Sequence, residues 1–309
     1  MKPYRSTLFV PGNRAAWMEK AAGYGADCLN LDLEDSVPDQ EKIAARPLVK
    51  AAIVSLKARG QAVNVRVNSF ATGLTLDDLE GILCPELNGV LLPKVETVAD
   101  MKELDALLTH LERRMGIAPG TIGTPLACET ALAMRNIYDI ATSCPRVKRV
   151  SLSAGPGGDA ARAIGYLWSK EGMETLFLRS RTVLECRAAG IQYPTVSSWW
   201  NIKDLEGLER DARWNRQLGF RGQTVMHPSH VAIVNRVFTP SPEEVDYYQG
   251  LIQAMEDARK RGIAAVTYRG DMVDEAMVKT AREILELARS APAPGVGEDN
   301  RLVEHPAAG

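Results

Sequence analysis

The chain has 309 residues, of which 45% are hydrophobic and 25% charged, an ordinary composition for a globular protein with a sizeable core. Its net charge of −2 excludes a strongly basic surface, so we expect no nucleic-acid partner. The five cysteines form no CxxC pair, which disfavours a disulfide framework or a zinc site. No signal peptide or membrane-spanning apolar run is visible, so we expect a cytoplasmic protein without a membrane partner.

Short apolar runs alternate with helical patterns, an order typical of βα units around a parallel sheet. Eight strands are predicted, at Ser6–Val10, Cys28–Leu33, Ala62–Val67, Gly89–Leu92, Pro125–Cys128, Val150–Ser153, Gly190–Val196 and Gln223–Met226. Helices are predicted between them, including Arg14–Tyr24, Pro47–Arg59, Val98–Arg114, Leu132–Ser143, Thr175–Ala189 and Asp204–Leu218. This count indicates an α/β fold, the (β/α)₈ TIM barrel. A doubly wound sheet is the alternative, disfavoured because polar motifs recur at five strand ends.

The C-terminal part differs from the barrel pattern. Residues 1–240 are predicted to form the barrel domain, 241–290 a C-terminal helical extension, and 291–309 a disordered tail. The extension is predicted as two helices, Glu243–Arg261 and Glu275–Ser290, with Val266–Met272 as a connector and no strands of its own.

Two carboxylates follow strand runs that are one barrel unit apart. Glu129 follows Pro125–Cys128, and Asp159 follows Val150–Ser153, so both are expected at the carboxyl face of the barrel. Two carboxylates with waters and substrate oxygens suit Mg²⁺, with Mn²⁺ as the alternative cation. Gly158 lies beside Asp159 and lets the backbone approach a ligand closely. The alternative for Asp159 is a helix cap.

Arg66 lies near the end of the third predicted strand, where its planar guanidinium can bind a substrate carboxylate. The alternative is an ion pair with Asp32 or Glu34 on the neighbouring strand, and the two roles are compatible. Because side chains alternate along a strand, Asp32 and Glu34 share a face. We expect both to point into the mouth and to hold the waters of the cation.

Basic residues also mark the first and fourth strand ends. Phe9 lies just inside the end of the first strand. Arg14 and Lys20 lie on or near the following helix, where they form either a phosphate site or a solvated basic face. Lys94 suggests a Schiff-base mechanism, but the adjacent Glu96 indicates a paired, charged lysine.

His227 follows the last predicted strand and precedes Pro228. It is interpreted as a hydrogen-bonded orienting residue rather than as an acid–base group.

Several of these motifs, taken in order, resemble one enzyme family. They are 5-RSTLFVPG-12, 31-LDLEDSV-37, 66-RVN-68, 92-LPKVE-96, 227-HP-228 and 268-YRGDMVD-274. The chain is similar over about residues 4–289 to the citrate lyase β-subunit-like and malyl-CoA lyase-like members of the HpcH/HpaI aldolase superfamily.

The resemblance implies a Mg²⁺-dependent carbon–carbon lyase acting on a 3-hydroxyacyl-CoA, assembled as a homotrimer or homohexamer. It implies that Glu129 and Asp159 bind the metal and that Arg66 binds the oxo-acid carboxylate. By the same resemblance, Phe9, Arg14 and Lys20 contact the CoA ester. Asp274 matches a catalytic acid that is supplied to the site of a neighbouring subunit, which implies that the extension 241–290 acts as a lid and an oligomer interface.

Other functions remain open at this point. A CoA-independent class II aldolase would share the barrel and the metal but would not need Arg14 and Lys20. A malyl-CoA-type thioesterase would use the same site, and a non-catalytic binding protein is the third alternative. Departures from the family pattern at 155-GPGGD-159, at Gln223 and at the pair Trp199 and Trp200 border the expected substrate site, so the acid accepted can differ.

Overall fold

Eight parallel strands form the centre of the computed structural model, which describes residues 2–197 and 199–290. The strands are β1 Ser6–Pro11, β2 Cys28–Asp32, β3 Ala62–Arg66, β4 Gly89–Leu91, β5 Leu126–Cys128, β6 Val150–Leu152, β7 Thr195–Val196 and β8 Gly222–Val225. Their spatial order is β4-β3-β2-β1-β8-β7-β6-β5. Every residue of β2 is buried, as expected of a strand covered on both faces.

The barrel is closed between β4 and β5 by a single bridge rather than by a full ladder. Gly89 pairs in parallel with Gly123, which lies before β5. The Val90 amide donates to the Gly123 carbonyl at 2.9 Å, and the Gly123 amide donates to the Asn88 carbonyl at 3.0 Å. A Cβ at Gly89 would lie 3.1 Å from the Gly123 carbonyl oxygen, so glycine lets the two strands approach. The predicted TIM-barrel fold is confirmed as a nearly closed barrel.

Helices cover the outside of the barrel and bury an apolar layer against it. They are α1 Ala15–Ala21, α2 Lys42–Ala58, α3 Thr75–Ile82, α4 Val98–Arg114, α5 Ala131–Arg135, α6 Ile137–Ser143, α7 Asp159–Ile164, α8 Leu176–Ala188, α9 Leu205–Leu218 and α10 Val231–Phe238. Within residues 2–197 and 199–290, no helix combines the length and the apolar character needed to cross a bilayer.

Three predicted elements were wrong in extent. The helix predicted at Pro47–Arg59 begins at Lys42 instead. The predicted strand Gly190–Val196 is reduced to β7, because Gly190 adopts a φ of +77° after α8 and Pro194 precedes the ladder. The predicted helix Leu132–Ser143 is interrupted at Asn136, which separates α5 from α6. The Asn136 side chain donates to the Glu96 carbonyl at 3.1 Å, which fixes the interruption.

The C-terminal extension contains strands, so the prediction of two helices with a plain connector was wrong. Helix α11 (Pro242–Lys260) is followed by an antiparallel hairpin of β9 (Val266–Tyr268) and β10 (Asp271–Val273), and then by α12 (Glu275–Ser290). Arg269 and Gly270 both have positive φ angles, 47° and 97°, as a two-residue hairpin turn of the primed type requires.

The extension has a small apolar core of its own, formed by Leu251, Met255, Val273, Val278 and Ala281. It is tied to the barrel by ion pairs such as Arg216 with Glu244, at 2.9 Å. The predicted tail at 291–309 lies outside the described residues.

Candidate active site

A cavity of about 560 Å³ opens at the carboxyl ends of the barrel strands. It is lined by polar and charged side chains that follow different strands, together with the glycine loop before α7. Of the residues predicted from the sequence, it brings together Phe9, Asp32, Arg66, Glu129, Gly158 and Asp159.

Arg66 and Asp32 lie side by side because they are register partners in the parallel pair β2–β3. Arg66 Nε and Nη2 donate to the two oxygens of Asp32, each at 2.7 Å. Burial opposes the charged carboxylate, but the Arg66 guanidinium and the Ser36 hydroxyl outweigh it and hold the pKa of Asp32 below its usual value. The guanidinium also lies 5.3 Å from the centre of the Phe9 ring. The pair therefore holds Arg66 in one orientation on the cavity wall.

Glu34 joins this network from the other side. Its carboxylate lies 3.0 Å from Arg66 Nη1 and 3.0 Å from Lys94 Nζ. Burial raises the pKa of Glu34 to about 7, although both cations act against that shift. Glu34 is thus a buried acid whose charged form depends on Arg66 and Lys94.

Lys94 is a paired lysine, as the sequence indicates, but its partner is Glu34 and not the adjacent Glu96. Glu96 instead lies in the turn before α4, where its amide donates to Asp100 at 2.9 Å. The hydrogen bond that Lys94 Nζ donates to Glu34 raises the pKa of Lys94 against the opposing effect of burial. A Schiff-base lysine must be neutral to attack, so this pairing disfavours that mechanism.

Glu129 and Asp159 are the acids with which the mouth can hold a metal. Glu129 follows β5 and is buried, and its Oε1 accepts a hydrogen bond from the Lys94 amide at 2.8 Å. Lys94 has a φ of +58°, a strained conformation for a non-glycine residue, and this turns its amide toward Glu129. Asp159 is the first residue of α7, and its Oδ1 accepts from Arg162 Nη2 at 2.9 Å.

The donor set fits a magnesium ion. Burial raises the pKa of Glu129, and the neighbouring Asp159 carboxylate adds to that shift. A divalent cation between them would remove this repulsion. Within the described residues, no cluster of three or more His, Cys, Asp or Glu side chains is arranged around a metal position. Mg²⁺ typically takes one or two carboxylates and completes its shell with waters and substrate oxygens.

The expectation that Glu34 points into the mouth was wrong, because Glu34 is buried behind the wall in its ion pairs with Arg66 and Lys94 and does not line the cavity. Four further predicted residues do not line it either. Arg14 and Lys20 are exposed, at the start and in the last turn of α1. Asp274 lies on the extension, where its Oδ1 accepts from the amides of Ala276 and Met277 at the start of α12. His227 lies 2.8 Å from the Ser229 hydroxyl through Nδ1, in keeping with an orienting role. The roles of Arg14, Lys20 and Asp274 stay predictions.

Other lining residues were not assigned a role from the sequence. Trp200 is 51% exposed, and its ring carbons would lie 3.5 and 3.8 Å from a Cβ at Gly158, so the indole covers the glycine loop. Met226 and a group of hydroxyl side chains complete the wall, namely Ser151, Ser153, Ser197 and Thr224. The i, i+2 spacing of Ser151 and Ser153 is the signal that would have placed both on the inner face.

Comparison with known proteins agrees with this geometry. The profile of the family described as HpcH/HpaI aldolase/citrate lyase matches residues 5–228. The chain is 34% identical to citrate lyase subunit beta of Leuconostoc mesenteroides subsp. cremoris, over 93% of each chain. It is 33% identical to L-malyl-CoA/beta-methylmalyl-CoA lyase of Cereibacter sphaeroides, over 93% of this chain and 95% of that one.

Solved structures show the same likeness. The chain is similar to the protein CitE from Mycobacterium tuberculosis in complex with magnesium, acetoacetate and coenzyme A. The TM-score is 0.73 at 26% identity, covering 93% of this chain and 98% of that one. A citrate lyase from Burkholderia xenovorans LB400 shares the fold, with a TM-score of 0.77 at 20% identity, covering 93% of this chain and 92% of that one.

Proposed function

Because the chain belongs to the HpcH/HpaI aldolase/citrate lyase family, we propose that it is a Mg²⁺-dependent carbon–carbon lyase acting on a 3-hydroxyacyl-CoA thioester. Malyl-, citramalyl- and citryl-CoA are the substrate types, and acetyl- or propionyl-CoA and a 2-oxo acid are the products. The observation that carries this proposal is the guanidinium of Arg66, fixed on the same cavity wall as the carboxylates of Glu129 and Asp159. The complex of the similar CitE protein with magnesium and coenzyme A supports it.

Arg66 would bind the carboxylate of the oxo-acid fragment. Its Nε and Nη2 are held by Asp32, while its Nη1 faces Glu34 at 3.0 Å and the half-exposed Asp35 at 3.5 Å. The longer contact is the one that a substrate carboxylate would replace, because Asp35 can turn to solvent. Asp32 keeps the guanidinium oriented during that exchange.

Glu129 and Asp159 would hold Mg²⁺, which supplies Lewis-acid polarisation of the substrate oxo or hydroxy oxygen when bound. Glu129 is kept in place by the Lys94 amide. The backbone of Gly158 and the indole of Trp200 close the wall beside Asp159, which restricts the entry of water.

The proton transfer and the CoA contacts involve residues outside the mouth. We assign the proton transfer at the α-carbon of the acyl-CoA to Asp274, supplied by a neighbouring subunit of a cytoplasmic homotrimer or homohexamer. Asp274 is exposed and belongs to the extension, so it is available to a second copy of the chain. Arg14 and Lys20 are exposed near the start of the chain and would bind the CoA phosphates beside Phe9.

The direct test is a condensation assay over a small panel of acyl-CoAs and 2-oxo acids, with the condensed thioester detected by mass. We expect one pairing to give product with Mg²⁺, and Mn²⁺ to replace it in part. Asp159→Asn should abolish both product and Mg²⁺ binding, whereas Asp257→Asn on the exposed side of α11 should change neither. Magnesium binding without product from any pairing would refute the lyase assignment.

The same assay separates the other enzymatic functions. Release of the free hydroxy acid and CoA would identify a thioesterase. Turnover of oxo acids without CoA, unchanged by combined Arg14→Ala and Lys20→Ala substitutions, would identify a class II aldolase.

The subunit-sharing role of Asp274 has its own test. Asp274→Asn and Asp159→Asn chains should each be inactive alone but should recover part of the activity when they are co-expressed, since some sites would then receive both intact residues. Wild-type turnover in Asp274→Asn alone, or no recovery in the mixture, would contradict the shared site.

A further inference from the structure

A second cavity, of about 210 Å³, lies at the opposite end of the barrel from the mouth. Its wall is formed by residues that precede strands rather than follow them. Tyr4 comes before β1, Asn88 before β4, Thr124 before β5, and Lys148 and Arg149 before β6. It is therefore separated from the candidate active site by the length of the strands.

This second cavity carries a surplus of positive charge. Lys148 and Arg149 line it, and none of its lining residues is an acid. Arg146 also lines it, but that guanidinium is committed to Glu112 and Asp105. Burial raises the pKa of Tyr4 to about 12, so Tyr4 adds no negative charge near neutral pH. Among the described residues, neither Lys148 nor Arg149 lies within ion-pair distance of a carboxylate.

Two donors on the wall also lack hydrogen-bond partners. Arg149 Nη1 and Thr124 Oγ1 are both buried, and neither has a hydrogen bond within the described part of the chain. Thr124 as a whole is fully buried. An unmet buried donor costs about 1–3 kcal/mol, so a ligand or ordered water that accepts from these groups is favoured.

Arg149 and the loop that carries Thr124 are held in fixed positions. The Arg149 guanidinium lies 3.5 Å over the Tyr4 ring, and its Nη2 donates to the Lys2 carbonyl at 2.6 Å. The loop that carries Thr124 is also clamped, because the amides of Gly120 and Ile122 each donate to Glu112 at 2.8 Å. A preorganised cationic pocket loses little entropy when an anion binds.

We infer that this cavity is a binding site for a small tetrahedral oxoanion of the phosphate type, held by Arg149, Lys148 and the Thr124 hydroxyl. A guanidinium, an ammonium and a hydroxyl together match an anion with several acceptor oxygens. The volume exceeds the roughly 30 Å³ share of one water several-fold, which leaves room for the anion and its remaining waters. This site is independent of the lyase activity proposed above.

The probe is inorganic phosphate, titrated into the full chain with EDTA at constant ionic strength set by chloride. The readouts are the thermal midpoint and the width of the phosphorus NMR line. We expect phosphate to raise the thermal midpoint of the wild-type protein in a saturable way. Arg149→Gln should lower the affinity for phosphate about tenfold or more. Lys148→Ala, at an exposed side chain, and Thr124→Val should weaken binding with the fold intact.

The controls separate this site from the mouth and from simple screening. The phosphate response that depends on Arg149 should persist when Arg14 and Lys20, the proposed ligands of the CoA phosphates, are both replaced by alanine, because both lie outside this cavity. Lys102→Ala, at an exposed lysine of α4 outside both cavities, should leave the whole response unchanged. Sulfate should bind comparably, whereas acetate should bind more weakly. The site would be overturned if phosphate affected the wild-type protein no more than chloride does. It would also be overturned if Lys148→Ala and Thr124→Val both bound phosphate as tightly as the wild type. Acetate binding as tightly as phosphate would overturn the assignment to a tetrahedral oxoanion.

Discussion

Glu112→Gln should destabilise the protein strongly, although the residue lies outside the candidate active site. The Glu112 side chain is fully buried on α4 and accepts four hydrogen bonds. Two come from the amides of Gly120 and Ile122 at 2.8 Å, and two come from Arg146 at 2.9 and 2.6 Å. Glutamine keeps the shape but turns an NH₂ group toward donors and removes the charge. Arg146 then keeps only the half-buried Asp105 as a counter-ion.

Removing one partner of a buried ion pair costs about 3–5 kcal/mol, a large share of a typical unfolding free energy of about 5–15 kcal/mol. We expect a loss of that size, measured as the shift in the urea midpoint of the circular dichroism signal. Glu103→Gln removes an exposed charge from the same helix and should change the unfolding free energy by no more than about 0.5 kcal/mol.

The pH dependence gives an independent check on the same pair. Although burial opposes it, the hydrogen bonds from Arg146 hold the pKa of Glu112 below its usual value. A lowered folded-state pKa contributes stability that is present above the unfolded pKa and is lost as pH falls through the folded one. The difference in the free energy of unfolding between wild type and Glu112→Gln should therefore become smaller below about pH 4.5. A difference in unfolding free energy under about 1 kcal/mol at pH 7, or a difference that stays constant down to pH 3, would refute this account.

Three further substitutions test the mouth and the barrel. Arg66→Lys keeps the charge but loses the fork that Asp32 orients, so the KM for the oxo acid should rise about tenfold or more, and an unchanged KM would exclude carboxylate binding there. Trp200→Ala should uncover the glycine loop and raise kcat/KM for longer oxo acids relative to short ones by about tenfold; an unchanged ratio would show that the indole does not select the acid. Gly222→Ala would place a Cβ 2.0 Å from the Tyr4 carbonyl oxygen, so the free energy of unfolding should fall by about 1–3 kcal/mol in a urea titration. Gly23→Ala is the control in the same titration, because a Cβ at Gly23 would meet open space.

The pairing of Asp32 with Arg66 was accessible from the sequence, because it depends on short-range order. Both residues are next to last in their predicted strands, and parallel neighbours that end together bring the side chains at their ends together. The same reasoning placed Glu129 and Asp159 at one end of the barrel. The two-residue alternation of side chains and the positions of the strand ends therefore predicted most of the charged residues that line the mouth.

Other features depend on contacts that no local pattern records. The Lys94 ammonium meets Glu34 across 60 positions of sequence, and the strained backbone at Lys94 makes that contact compatible with the one to Glu129. The barrel closes through Gly123, which lies outside the predicted strand. The sequence does not reveal this contact, because a single bridge is too short to show an alternation of buried and exposed residues. The hairpin was missed because its turn begins with Arg269, not with the asparagine or aspartate that usually precedes glycine there.

The charges around the mouth favour a working metal site over a retired one. Five carboxylates meet three cationic side chains there: Asp32, Glu34, Asp35, Glu129 and Asp159 against Arg66, Lys94 and Arg162. Burial raises the pKa of Glu34 to about 7 and also raises that of Glu129, so a bound divalent cation would stabilise the charged forms of these acids. Buried charges without compensation cost stability, and a protein that needed only its fold would gain by replacing them. Their retention around an oriented guanidinium is therefore easier to explain if a cation and an anionic substrate complete the site.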